Sequence, residues 1–127
     1  MKRHEQRQKA FQLLFQTDKD IVDLTNAKYY EVYQSEMFIK AIVDYYFAND
    51  ESINGKISSS LTGYTIDRIS KVERNILRIA ISELEVHDSP VKVIIDEAVR
   101  LAKNYGDKDS HRFVNGVLKN FAVQNEG

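Results

Sequence analysis

The sequence predicts an all-α fold: one domain spanning residues 1–127, a compact bundle of about six or seven helices. Three observations predict it. Apolar residues recur at three- and four-residue steps in one segment after another. No alternation of period two persists anywhere. Pro90 is the only proline, and no repeat, low-complexity stretch or linker divides the chain.

The elements follow in order. Residues 2–9 read KRHEQRQK, where Lys2, Arg3, Arg7 and Lys9 oppose only Glu5, and the apolar AFQLLF follows without a break. Arg3, Arg7, Ala10 and Leu14 fall on nearly one helical stripe. This predicts a helix docked by its second half, with its basic first turns projecting beyond the core. Cations at a helix N-terminus oppose the macrodipole, so local stability does not call for them. Two readings stand: a solvated helix end, or a patch that meets phosphate. Residues 16–30 read as a loop or a poor helical turn. Residues 31–49 read as one long helix whose apolar face carries Tyr33, Met37, Phe38, Ala41, Ile42, Tyr45 and Tyr46, with Tyr30 and Val32 at its start.

A weaker helix follows over 50–62, with Ile53, Ile57 and Leu61 at four-residue steps and Gly63 as its stop. Tyr64, Ile66 and Ile69 lead to a further helix, for which Ser70 and Glu73 have capping-box spacing. Val72, Ile76, Leu77, Ala80, Ile81 and Leu84 form its buried face. The central stretch is VKVIIDEAVRLAKNYGDKDSHRFVNGVL, residues 91–118. Val91, Ile94, Ile95, Ala98, Leu101, Ala102 and Tyr105 lie on one helical face. Ser89 is expected as its cap and Pro90 in its first turn, with Gly106 after it in a left-handed conformation. The last helix takes Asp109 or Ser110 as cap and buries Phe113, Val114, Val117, Leu118 and Phe121. Gly116 inside it implies a neighbour packed close to the backbone.

Composition narrows the function. At 127 residues, 43% of them hydrophobic and 29% charged, the chain can bury a core of its own. It contains no cysteine, which excludes a disulfide scaffold and a thiol nucleophile. No apolar run approaches the ~20 residues of a membrane span, and no secretory signal opens the chain, so a cytoplasmic protein without membrane contact is expected. The formal net charge is only −1, so any nucleic-acid binding must come from local patches.

No catalytic constellation emerges, and neither an enzyme nor a cofactor is expected. His4, His87 and His111 are scattered, without metal-ligand spacing. Asp109, Ser110 and His111 are consecutive, so their side chains diverge by about 100° per residue on a helix and cannot form a triad. Arg78 and Glu97 border apolar faces and are candidates for a partly buried pair between two helices. A second basic cluster, Lys108, His111 and Arg112 with Lys103 nearby, adjoins Phe113 at a helix start. Backbone N–H groups there can hold phosphate and a ring can stack on a base, the features that suit single-stranded RNA. The alternative is that Phe113 is core and the cations are solvated.

VIIDEAVRLAKNYGDKDSHRFVNGVL resembles the C-terminal signature of the NusB family of bacterial transcription antitermination factors. VERNILRIAISEL resembles the preceding family helix, and RQKAFQLLF the first helix. The ordered set covers roughly half the chain. The resemblance implies a non-enzymatic, all-helical factor that binds a short single-stranded RNA element, boxA, together with NusE, a small-subunit ribosomal protein. The complex joins RNA polymerase with other Nus factors and suppresses termination, notably on ribosomal RNA operons.

Carried onto this sequence, the family's arginine-rich N-terminus implies an RNA role for Arg3, His4 and Arg7 beside Lys2, although His4 and Glu5 stand where relatives often have arginine. The family's Asp-Ser-His-Lys-Phe-Val-Asn-Gly matches Asp109 to Gly116, with Arg112 in place of lysine. It implies RNA-side roles for Asp109, His111 and Phe113. Asp67 and Glu73 match the side that meets basic NusE. Some relatives self-associate as homodimers, which would mask the RNA surface. The competing reading is a helical protein-interaction module without RNA function, of the kind joined to some RNA methyltransferases; an end at Gly127, with no downstream cofactor-binding domain, is expected of the free-standing factor.

Overall fold

The computed structural model describes residues 1–63 and 65–124; Tyr64, expected to lead into the helix capped by Ser70, lies outside them. Among the described residues the elements are α1 (Arg3–Thr17), α2 (Tyr30–Ser35), α3 (Met37–Ala48), α4 (Asp50–Ser59), α5 (Lys71–Val86), α6 (Val91–Tyr105) and α7 (Ser110–Gln124), with short 3₁₀ turns between. The fold is all-α, as the sequence predicts.

α5 is the central helix. Its start is fixed locally: Ser70 Oγ accepts the Glu73 N–H at 3.0 Å, and a Glu73 carboxylate oxygen accepts the Ser70 N–H at 3.3 Å. Ile76, Leu77, Ile79, Ala80, Ile81 and Leu84 are all buried, and so are Arg74, Asn75, Ser82 and Glu83, so α5 is enclosed around most of its circumference and makes charged as well as apolar contacts. α1, α3, α4, α6 and α7 all pack against it. The capping box lies at one end; at the other, His87 closes the helix in a left-handed conformation with φ +61°.

The predicted helix over 31–49 is two helices. Glu36 is extended, with φ −100° and ψ 108°, and separates α2 from α3. The break resets the helical register. Ile39, Ile42, Val43 and Tyr46 are buried, while Met37, expected on the apolar face, is 87% exposed. Val91 likewise lies outside the α6 core face, which begins at Ile94.

Residues 16–30 hold more order than their polarity promises. The Asp18 carboxylate, 3% exposed, accepts hydrogen bonds from Arg74, Arg78 and Asn75 of α5. Arg78 also donates to Asn54 of α4 at 2.9 Å. One carboxylate thus ties the end of α1 to α5 and, through Arg78, to α4. Burial alone would raise its pKa, but the bonds from Arg74 and Arg78 outweigh burial and lower it from 3.8 to about 2. The expected Arg78–Glu97 pair does not form: Arg78 faces Asp18, and Glu97 faces His4 across the α1–α6 contact.

The ends of α6 and α7 differ from their predicted chemistry. Ser89 does not cap α6; its hydroxyl accepts from Arg7 at 3.3 Å. Gly106 is extended rather than left-handed, with φ −93° and ψ −171°. Space explains the glycine: an added Cβ would lie 2.5 Å from Ser110 Oγ and 2.8 Å from the Ala102 carbonyl oxygen. The side chain that caps α7 is Asp107, which accepts the N–H groups of Asp109 at 2.8 Å and Ser110 at 3.0 Å. Gly116 has no close neighbour; a Cβ there would meet nothing within 4 Å.

Candidate nucleic-acid interface

α1 and α6 run side by side in the same direction. His4 Nδ1 lies 2.7 Å from Glu97 Oε2, and eight residues further along each helix Gln12 Nε2 donates to the Tyr105 hydroxyl at 3.3 Å. The two predicted basic clusters therefore sit at opposite ends of this pair. The His4–Glu97 and Gln12–Tyr105 contacts lie about 12 Å apart along the axis, the rise of eight helical residues; Lys2 and Arg3 lie before the first, and Lys108 follows the second in the chain.

At the first end, Lys2 and Arg3 are exposed. The Arg3 guanidinium carbon lies 4.0 Å from the centre of the Phe38 ring, a placement in which a guanidinium can still offer its N–H edges to an anion. His4 is half-buried and held by Glu97. Arg7 does not project. It is 4% exposed, its Nε lies 2.7 Å from Glu83 Oε1, and its Nη2 lies 2.9 Å from Glu83 Oε2. With Ser89 as a further acceptor, its fork is occupied by the fold. The expectation of an RNA-facing Arg7 is therefore corrected. α1 dips into the core one turn earlier than its charge pattern indicates, because α5 supplies a buried carboxylate at that depth. Burial raises the Glu83 pKa despite Arg7, whereas Arg7 itself, although burial lowers its pKa, is raised by its bond to Glu83.

At the second end, Lys108, Asp109 and Arg112 are exposed, and His111 and Phe113 are half-buried. Arg112, Phe113, Gly116 and Val117 line a shallow groove of about 340 Å³, closed on its other side by Ser60, Leu61 and Thr62. Phe113 packs on the core with one part and faces the groove with another. Gly116 lines the groove, and nothing in the packing requires a glycine there. Lys103 is exposed at the last turn of α6.

The acidic candidates divide. Asp67 is exposed, with Lys19 3.9 Å away. Glu73 is committed internally: one oxygen serves the α5 capping box and the other accepts the Ser110 hydroxyl at 2.9 Å, joining the starts of α5 and α7. Beside them the Lys71 ammonium stands 4.1 Å from the centre of the Phe15 ring, a contact that sequence spacing gives no means of finding. Among the described residues no three acidic, histidine or cysteine side chains are placed to hold a metal, and no helix is long and apolar enough to cross a membrane.

The family model described as "NusB family" matches residues 4–123. This chain belongs to the NusB family. The transcription antitermination protein NusB of Oceanobacillus iheyensis is 43% identical over 121 residues, covering 93% of this chain and 96% of the relative. A structure of T. maritima NusB superposes with a TM-score of 0.82 at 30% identity, covering 100% of this chain and 94% of that one. A structure of antitermination factors NusB and NusE in complex with double-stranded RNA matches with a TM-score of 0.82 at 28% identity, covering 98% and 99% of the two chains. The NusB resemblance read from the three sequence segments thus extends across nearly the whole chain.

Proposed function

We propose that this NusB-family chain is a transcription antitermination factor that binds boxA-type single-stranded RNA together with the ribosomal protein NusE. In this reading it acts in the cytoplasm, and the assembly joins RNA polymerase with other Nus factors on ribosomal RNA operons. The observation that carries the proposal is the pair of exposed basic and aromatic clusters at the two ends of the α1–α6 pair, on a chain whose net charge gives no general attraction to nucleic acid. Lys2 and Arg3 meet phosphates at one end. Lys108 and Arg112 do so at the other, where Phe113 offers an edge to an unstacked base. Asp109 and His111 flank the start of α7 and add to the polar surface beside Arg112 in the sequence. Exposed Asp67 is the acidic contact for a basic partner, and Glu73 supports it by fixing how α5 meets α7.

Titration of a labelled boxA-type single-stranded RNA, with and without NusE, at about 50 and 200 mM salt tests this. Binding that tightens with NusE and weakens with salt is expected. Absence of binding in both arms by folded, monomeric protein contradicts the proposal. A homodimer that masks the RNA surface predicts weaker binding as protein concentration rises.

A further inference from the structure

Several surface lysines stand beside a carboxylate: Lys19 with Asp67, Lys40 with Asp44, Lys56 with Glu85 and Lys92 with Asp96. Lys9 and Lys28 differ. Neither has a carboxylate within ion-pair distance among the described residues, and both place their ammonium groups against the same ring, 4.5 Å and 5.1 Å from the centre of Tyr29. The two charges are therefore at most about 10 Å apart, the screening length at 0.1 M salt. Two like charges gathered on one aromatic ring repel, and an anion between them removes that repulsion.

The ring is held in place at a cost. Tyr29 has φ +75°, a conformation unusual for a residue with a bulky side chain. The Gln16 side chain fastens the preceding residue to α1 from both sides, accepting the Lys28 N–H at 2.7 Å and donating to the Lys28 carbonyl at 3.0 Å. Tyr29 also borders an open groove of about 550 Å³, shared with Thr25, Asn26, Tyr30 and Glu31. Lys9, in turn, lies seven residues after Lys2, the extended residue that precedes α1, which places the two about 10 Å apart along the helix axis.

We propose that Lys9, Lys28 and Tyr29 form a further subsite for single-stranded RNA, continuing the strand that Lys2 engages. One base stacks on the Tyr29 ring, and the two ammonium groups move from the ring to the phosphates flanking that base. This rests on the RNA-binding function proposed above and adds a third contact region to the two terminal clusters.

The test is fluorescence anisotropy of a labelled single-stranded RNA, long enough to span α1, against the full chain over a series of salt concentrations. The variants are Lys9→Ala with Lys28→Ala, Tyr29→Leu, and a control of equal charge change, Lys40→Ala with Lys92→Ala. Thermal melting verifies that each is folded. The lysine pair is expected to weaken binding about tenfold and to lower the slope of log affinity against log salt by about 1.4, or about 0.7 for each phosphate no longer neutralised. Tyr29→Leu is expected to weaken binding about tenfold with the slope unchanged. The control keeps wild-type affinity. Wild-type binding that is unaffected by the lysine pair, or reduced equally by the control, overturns the subsite alone. A wild-type chain that binds no RNA overturns both the subsite and the function on which it rests.

Discussion

The Arg7 guanidinium is saturated by Glu83 and Ser89, so its removal acts on stability before it acts on any ligand. Arg7→Ala leaves a buried carboxylate unpaired and is expected to cost about 3–5 kcal/mol in urea denaturation. Replacing the pair together, Arg7→Met with Glu83→Leu, is expected to recover most of that stability. Asp18 gives a second residue-level prediction. Its pKa falls from 3.8 unfolded to about 2 folded, so its contribution is fully present above pH 4 and is lost as pH falls through 2. The loss amounts to about 2 kcal/mol, and Asp18→Asn removes that part of the acid dependence while lowering stability at neutral pH. Gly116 carries a third. An added Cβ meets nothing, so Gly116→Ala is expected to raise stability by up to about 1 kcal/mol in thermal melting. Gly106→Ala, which collides with Ser110 and the Ala102 carbonyl, is expected to lower it.

The elements differ in how far local chemistry determines them. The start of α5 is legible because a capping box needs only Ser70 and Glu73 three residues apart, and Ser70→Ala is expected to cost about 1 kcal/mol. The same Glu73 also accepts the Ser110 hydroxyl, so Ser110→Ala should loosen the junction of α5 with α7; hydrogen exchange at the first turn of α7 measures it. The break at Glu36 is not legible, because Tyr33, Met37 and Phe38 keep helical spacing across the polar Gln34, Ser35 and Glu36, and no proline or glycine marks it. The same holds for the end of α1. Asp18 and Arg74 are 56 residues apart, and no periodic pattern shows that a polar turn will be fastened to the central helix. Helix faces can be read from sequence because they repeat every few residues; long-range ion pairs do not repeat.

For the whole molecule, the all-α architecture is legible from periodicity, and the family from three ordered segments. The candidate site is legible only in part. The exposed positions of Lys2, Arg3, Lys108 and Arg112 fit the reading, while Arg7 and Glu73 are drawn into the fold by partners supplied from distant segments. Nor does the sequence show that the two basic clusters occupy opposite ends of one helix pair, since that depends on α1 and α6 running in the same direction. RNA affinity in the proposed function comes from these local cations, because a near-neutral chain offers no general attraction to nucleic acid. In the proposed function the exposed N-terminal cations meet RNA while Arg7 only holds the helix. The salt dependence of boxA-type RNA binding, compared between the wild-type chain and Lys2→Ala with Arg3→Ala and with melting temperatures recorded alongside, separates these two roles. A slope lower by about 1.4 and an unchanged melting temperature are expected of the double variant. An unchanged slope and affinity in the folded double variant would contradict an RNA role for these cations.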